Sequence, residues 1–199
     1  LSVSDDGKQF LMNPKWVHFE NITASSLLLV DADNPETMKG ANAPDPTAWI
    51  IHGHLHRAAP QARCILHVHS PYATALASLA DPEIKPIDQN TARFFNRVAY
   101  DDHYGGLAEN DEEGARLVRV LGNKSIMMMG NHGVLVTGPQ SQRLLTISII
   151  LNARARLWCL LIQQARRFQF SQIRLQKRPR SHGKSMVVMR KRISIRQKF

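Results

Sequence analysis

Three histidines in two short segments have the residue type and spacing of a metal site. His67 and His69 are separated by one residue at the end of the apolar run 64–66, and His132 lies in the glycine-flanked segment 130–133. Because residues i and i+2 of a strand point to the same face, the first pair would present two imidazoles side by side. Three neutral imidazoles that leave a fourth position open are a common way to hold a catalytic divalent metal. The competing interpretation is that the pair is two polar side chains on the solvent face of a strand.

The elements that must position these histidines follow from periodicity and turn residues. Strands are predicted at 10–12, 27–31 and 125–129, and the nearly continuous apolar run at 27–31 indicates a buried strand. Helices are predicted at 49–55, 71–79 and 111–121. Together these elements favour one α/β domain.

Four segments of the chain match one family in order and spacing. They are 22–25 (ITAS), 60–75 (PQARCILHVHSPYATA), 99–106 (AYDDHYGG) and 131–135 (NHGVL). Together they resemble the signature segments of the class II aldolase/adducin family, over about residues 1–140. The resemblance implies an α/β fold, a three-layer α/β/α sandwich with a central, mainly antiparallel sheet. It also implies a homo-oligomer, which is usually a tetramer in the family.

The resemblance also implies a chemistry for the histidines. Enzymes of the family bind Zn²⁺ or a related divalent ion through three histidines, whose positions here are His67, His69 and His132. Such an ion acts as a Lewis acid and stabilises the enediolate that is left when a carbon–carbon bond is cleaved. The implied function is a divalent-metal-dependent aldolase-like lyase that acts on a small hydroxy-carbonyl compound. A non-catalytic, adducin-like scaffold of the same fold is the alternative.

The chain departs from the sugar aldolases of the family at positions for proton transfer and phosphate binding. Ala48 stands where those enzymes have a glutamate base, and Pro46 and Thr47 stand where a serine pair often binds phosphate. Alanine cannot transfer a proton, so the resemblance favours an aldolase-like branch without that base and argues against a phosphorylated sugar. Tyr100 corresponds to a tyrosine that protonates the leaving aldehyde, which makes it the candidate catalytic acid. The alternative interpretation of Tyr100 is a half-buried strand tyrosine.

Two further histidines, His52 and His56, lie four residues apart and therefore on one face of a predicted helix. That spacing binds metal in the H-E-x-x-H motif, but Gly53 stands here in the place of the glutamate. We expect both to be helix-packing or surface histidines. The alternative is that one of them lines the metal site.

The charge of the chain changes sign near residue 140. The whole sequence has a net charge of +10, but residues 1–140 hold 11 Lys and Arg and all 16 Asp and Glu. Residues 141–199 hold 15 Lys and Arg and no carboxylate side chain. The acidic part is typical of a cytoplasmic enzyme, and two cysteines without a pairing pattern agree with that compartment. We therefore predict an incomplete family domain at 1–140 and a poorly folded basic tail at 141–199.

Two explanations of the tail stay open. A reading frame shifted after about residue 140 would account for it, because one permitted coding of residues 143–158, read one base earlier, encodes an acidic amphipathic helix. The alternative is a genuine basic arm that contacts nucleic-acid phosphates or an anionic membrane surface, and without such an arm we expect neither partner. The apolar run 157–162 is far shorter than the roughly 20 residues of a membrane span. The chain also begins within what resembles the family's first sheet, so we expect an N-terminal truncation.

Overall fold

The computed structural model describes residues 1–40 and 42–163. Within them, Leu1–Cys159 form one compact unit, and a second unit begins at Leu160 inside the last helix. The described chain contains six strands, β1 (Gln9–Met12), β2 (Leu28–Asp31), β3 (Cys64–Val68), β4 (Val98–Asp101), β5 (Ile126–Met129) and β6 (Gly133–Gly138). It also contains four α-helices, α1 (Pro46–Ala58), α2 (Pro71–Ala77), α3 (Asp111–Leu121) and α4 (Ser141–Gln163).

Four of the strands form a mixed sheet in the order β3-β6-β5-β4. Strand β6 pairs antiparallel with both β3 and β5, whereas β4 and β5 are parallel. The sheet is therefore mainly antiparallel, as expected. Because residues paired across strands share a face, one row runs across the sheet through His67, Leu135, Met127 and Ala99.

Helices cover both faces of this sheet. The apolar members of that row belong to one buried cluster with residues of α1 and α3, among them Ile51, Leu55, Leu117 and Leu121. Helix α2 contacts β5 and β6, and its buried residues stand outside that cluster. Helix α2 therefore covers the opposite face, and the fold is the expected α/β/α sandwich.

Strands β1 and β2 form a separate antiparallel pair. Val30 is buried in a second cluster with Phe10 and Met12, whereas Leu29 is 57% exposed. The prediction that 27–31 is a buried strand is therefore wrong for one of its faces, because this two-stranded sheet is covered on one side and open on the other.

Side chains fix the helix starts by capping backbone N–H groups that have no partner within the helix. Asp45 caps α1, whose first turn contains Pro46, and Asn110 caps α3 by accepting a hydrogen bond from the Glu113 N–H. Helix α3 has the predicted bounds. Helix α1 is longer at both ends than the predicted 49–55.

Helix α4 packs against the rest of the first unit through one face and two polar contacts. The buried residues of that face recur at helical spacing and are Leu144, Ser148, Leu151, Ala155 and Trp158. The Asn152 Oδ1 accepts hydrogen bonds from the Tyr72 and Ala73 N–H groups of α2 at 3.1 and 3.2 Å. Arg154 forms an ion pair with Asp88 at 2.9 Å.

The first residues of the predicted tail are therefore helical, and within the described part of the chain no break separates residues 141–159 from the preceding domain. Residues 164–199 lie outside the described residues. The two-part domain assignment and the reading-frame hypothesis therefore stay predictions.

By length and composition alone, α4 could also cross a membrane. Its apolar window has a mean hydropathy of 1.6, and 22% of that window is buried. The apolar run 157–162 alone is too short for such a span. Core helices of soluble proteins pass the same criterion, so α4 alone is weak support for a membrane span.

Replacing Asn152 with alanine tests whether α4 packs on α2. The Asn152→Ala chain should lose about 1 kcal/mol of unfolding free energy, because two N–H groups of the first turn of α2 lose their cap. Urea denaturation measures the loss. Thr146→Ala on the same helix is the control, because the Thr146 hydroxyl bonds only within α4, to the Gln142 carbonyl oxygen. Equal stability of Asn152→Ala and the unmodified chain would contradict this packing.

Candidate metal centre

Strand β3 and the turn between β5 and β6 bring the three histidines together. His67 lies in β3 opposite Leu135, and His69 follows the strand on the same face. His132 lies in the turn, where its N–H donates to the Met129 carbonyl oxygen at 3.1 Å. Because β6 pairs with both β3 and β5, the turn lies at the end of β3 that carries the histidine pair.

Two glycines of the turn permit this close approach. A Cβ atom at Gly133 would lie 2.6 Å from Cδ2 of His69 and 2.8 Å from the Val68 carbonyl oxygen. A Cβ atom at Gly130 would lie 2.7 Å from the Asp101 carbonyl oxygen, which accepts a hydrogen bond from the Gly130 N–H at 2.8 Å. These distances are too short for a side chain, so the turn requires glycine at both positions.

The three imidazoles face one another at metal-binding distances. Their candidate ligand nitrogens all lie within 4.8 Å of one another, and the Nε2 atoms of His67 and His69 are 3.1 Å apart. Two nitrogens bound to a tetrahedral zinc ion at about 2.05 Å would be about 3.3 Å apart, so His67 and His69 have the spacing of such ligands. The candidate nitrogen of His132 lies within 4.8 Å of both, so the three residues could hold such an ion. The His67 Nδ1–H donates to the Val134 carbonyl oxygen at 3.0 Å, which directs the Nε2 lone pair to a metal.

The surroundings keep the buried imidazoles neutral. Burial and then the imidazoles of His132 and His69 lower the pKa of His67 to about 3. Burial and the His69 imidazole also lower the pKa of His132, while the carboxylates of Asp101 and Glu113 oppose that shift. A neutral imidazole has the lone pair that a metal needs, so His67 and His132 are ready to bind an ion at neutral pH.

An ion-pair network that the sequence analysis missed supports the turn. Arg116 of α3 binds both carboxylate oxygens of Asp101, at 2.6 and 2.7 Å, and both of Glu113, each at 2.7 Å. The two carboxylate side chains are 5% and 13% exposed, and together they raise the pKa of Arg116 above its usual value. The network holds Asp101, whose carbonyl oxygen holds Gly130, and so it fixes the turn that carries His132. Glu113 and Arg116 have a helical i,i+3 spacing, but no local pattern in the sequence links them to Asp101.

Tyr100 lies on the other face of the sheet from the histidine pair. It is opposite Met128 in β5, whereas its neighbour Ala99 belongs to the row that contains His67. The Tyr100 hydroxyl accepts a hydrogen bond from the Ile84 N–H at 2.9 Å, and burial raises its pKa to about 12. The structure therefore does not bring Tyr100 to the three histidines, and its role as a catalytic acid stays a prediction.

His52 and His56 pack inside the fold, next to the small sheet. The His56 ring lies 5.1 Å from the Phe10 ring, and its Nδ1–H donates to the Ala62 carbonyl oxygen at 2.6 Å. Burial lowers the pKa of His56 to about 4 and that of His52 well below its usual value. Both are helix-packing histidines, as expected.

The fold and the histidine cluster define an α/β protein with a candidate metal centre, and comparison with known proteins gives its family. The family described as "Class II Aldolase and Adducin N-terminal domain" matches residues 1–159. The chain therefore belongs to the class II aldolase and adducin family. The match extends 19 residues past the predicted boundary at residue 140 and includes most of α4.

Individual relatives agree with this assignment. A putative aldolase class 2 protein of Caulobacter vibrioides is 36% identical over 129 residues, which are 65% of this chain and 49% of that protein. A Streptomyces roseochromogenus protein named 4-hydroxy-3-prenylphenylpyruvate oxygenase/4-hydroxy-3-prenylbenzoate synthase is 31% identical over 126 residues, 63% of this chain and 45% of the relative. The chain thus spans just under half the length of both relatives.

A solved structure shows the same fold. The aldolase II superfamily protein from Pseudomonas syringae is 30% identical and superposes with a TM-score of 0.69. The superposition covers 79% of this chain and 62% of that one.

Metal analysis tests the histidine cluster directly. After removal of bound metal and reloading with Zn²⁺, the chain should retain one ion, and His67→Ala should bind it more than about a hundredfold more weakly, because one of three ligands is lost. Inductively coupled plasma mass spectrometry and a chelator competition titration measure stoichiometry and affinity. His103→Ala is the control, since His103 is an exposed histidine that contacts Asp102 outside the cluster. A well-folded unmodified chain that retains no ion would refute the site.

The lowered histidine pKa values predict how the metal-free chain responds to acid. His52, His56, His67 and His132 have pKa values below 6.5 in the folded chain and near 6.5 when unfolded. Below pH 6.5 the unfolded chain therefore binds more protons, and the free energy of unfolding should fall steadily from pH 7 towards pH 4.5. Urea denaturation with chelator present measures it. A His67→Gln chain should show a smaller fall, and identical urea midpoints at pH 7 and pH 5 would contradict the buried, neutral histidines.

Proposed function

We propose that the chain is a divalent-metal-dependent aldolase-like lyase that acts on a small hydroxy-carbonyl compound, with Zn²⁺ as its resident ion. The observation that carries this proposal is the convergence of three imidazoles whose ligand nitrogens lie within 4.8 Å of one another. The family assignment supports it, since the same three positions carry the resemblance to metal-dependent members.

The residues of the chain hold and orient the ion in this proposal. His67 is fixed by its hydrogen bond to the Val134 carbonyl oxygen, and His132 by the turn that Asp101 and Arg116 support. A divalent ion held there would stabilise the negative charge that develops on the substrate oxygens when a carbon–carbon bond breaks. Three protein ligands leave coordination positions for those oxygens.

Proton transfer is where this chain differs from the sugar aldolases. Ala48 packs against the apolar cluster of the small sheet, and it offers no group that moves a proton. Asp101 and Glu113 are both held by Arg116, and Tyr100 faces the other side of the sheet. Among the described residues, these observations favour a cleavage that needs no prior removal of a hydroxyl proton.

Decarboxylation is therefore a second candidate reaction. In that reaction the bond to a carboxylate carbon breaks, the electron pair stays on the substrate, CO₂ leaves, and the substrate then takes a proton from water. A retro-aldol cleavage, in contrast, needs a base for the hydroxyl group of the substrate. The missing glutamate at Ala48 is the specific observation in favour of decarboxylation.

A non-catalytic, adducin-like scaffold is the alternative from another class. The intact set of His67, His69 and His132 favours the enzyme, whereas Ala48 favours the scaffold. We further propose a cytoplasmic homo-oligomer. Its support is the family resemblance and the two cysteines, Cys64 and Cys159, both of which are free thiols.

An activity assay on the reloaded full chain separates these functions. With 4-hydroxy-2-oxo acids as test substrates, an aldolase should release an aldehyde and pyruvate. With oxaloacetate, whose second carboxylate is β to the carbonyl group, a decarboxylase should release CO₂. Activity should fall at least about a hundredfold with chelator or in His132→Ala and should persist in His103→Ala. Coupled NADH oxidation measures pyruvate, and a bicarbonate assay measures CO₂. A folded chain that retains its ion and releases neither product would favour the scaffold.

A further inference from the structure

A cleft of about 530 Å³ opens between the start of α1 and the loop that precedes α3. Its walls include Lys15, Asp45, Thr47, Trp49, Leu107 and Glu109. The volume lies in the range of small-molecule sites, roughly 300–1,000 Å³, and well above the roughly 150 Å³ that accommodates a benzene ring. The cleft can therefore hold a substituted ring.

Both walls of the cleft lead to the candidate metal centre. Helix α1 runs from Pro46 at the cleft to Ile51 and Leu55, which pack in one buried cluster with Leu135, the cross-strand neighbour of His67. The opposite wall continues into α3, whose Arg116 binds Asp101, and the Asp101 carbonyl oxygen accepts a hydrogen bond from the Gly130 N–H of the turn that carries His132. A substrate held at the metal centre could thus extend into the cleft.

The charges of the cleft disfavour a phosphate group. Pro46 has no backbone N–H, and the Thr47 N–H and hydroxyl both donate to the Asp45 carboxylate, at 2.9 and 2.6 Å. Asp45 also binds Lys15 at 2.8 Å, and these contacts lower its pKa to about 2 against the effect of its burial. The two Thr47 donors and the one lysine in these walls are therefore taken by a carboxylate of the chain, and Glu109 adds another negative charge.

The remaining walls offer apolar surface. The Trp49 Nε1–H donates to the Asp31 carbonyl oxygen at 3.1 Å, so its polar atom is occupied and its ring remains for contact. Ile50 lies beside it, and Leu107 on the opposite wall is 64% exposed. A flat apolar group would cover all three side chains and would leave the ion pair in water.

We propose that this cleft binds the end of the substrate remote from the metal, and that this end is an uncharged, ring-sized apolar group and not a phosphate. The proposal rests on the proposed function in one respect, that the bound group belongs to the substrate of the metal centre. The preference of the cleft itself depends on its own wall residues, chiefly Asp45, Trp49 and Leu107, and not on the metal centre.

Binding of p-cresol and of inorganic phosphate to the full chain in excess chelator tests this preference without the metal. Ligand-observed NMR titration should give saturable binding of p-cresol and no displacement by phosphate. Leu107→Asp should raise the dissociation constant of p-cresol at least about tenfold, because it places a charge against the ring. Leu145→Asp is the matched control, since Leu145 of α4 is also an exposed leucine, 56% accessible, and it should leave the constant within about twofold.

The possible results distinguish failure of this proposal from failure of the proposed function. Phosphate that binds as tightly as p-cresol, or p-cresol binding that Leu107→Asp leaves unchanged, would overturn the proposal. If p-cresol binds as expected and the reloaded chain has no lyase activity, the preference of the cleft stands and the proposed function fails. If the reloaded chain cleaves phosphorylated and aromatic substrates equally well, the proposed function stands and this inference fails.

Discussion

The candidate metal centre depends on one constraint, the backbone approach between the β5–β6 turn and the end of β3. Antiparallel pairing of β6 with both neighbours brings the turn against the histidine pair, and the absence of side chains at Gly130 and Gly133 lets it come close enough. The imidazoles of His67 and His132 then exclude water from one another, which is why they are neutral. The strand pairing, the two glycine positions and the neutral state of the imidazoles therefore all belong to the same close approach of the turn to β3.

The buried ion pairs of Arg116 with Asp101 and Glu113 hold the β5–β6 turn in position. Arg116 neutralises two carboxylates that stand 5% and 13% exposed, and both would be costly in an apolar interior without it. The Arg116 guanidinium orients the Asp101 carboxylate through two parallel hydrogen bonds. The Asp101 carbonyl oxygen then orients the β5–β6 turn by accepting a hydrogen bond from the Gly130 N–H. The ion pair fixes the position of the turn because its hydrogen bonds have a direction. An apolar contact has no preferred direction and would let the turn shift.

The sequence could predict features that depend on residues close together along the chain. It could not predict features that depend on contacts between distant segments. The histidine pair was predictable because a strand repeats every two residues. Helix α3 was predictable because acidic residues fill its first turn and Gly122 ends it. The exposure of Leu29 depends on which strands lie beside β2, and the face of Tyr100 depends on how β4 pairs with β5. The link between Asp101 and Arg116 spans 15 residues and needs the packed fold. Each of these features depends on tertiary neighbours.

The contact between Asn152 and the start of α2 has a consequence for the order in which the chain matures on the ribosome. Helix α2 begins two residues after His69, and the Ser70 side chain does not cap it. The cap comes from a residue synthesised about 80 positions later. A nascent chain that has emerged only as far as the β5–β6 turn therefore has all three histidines but an uncapped helix beside them. The first turn of α2 therefore gains these two hydrogen bonds only after α4 has been synthesised.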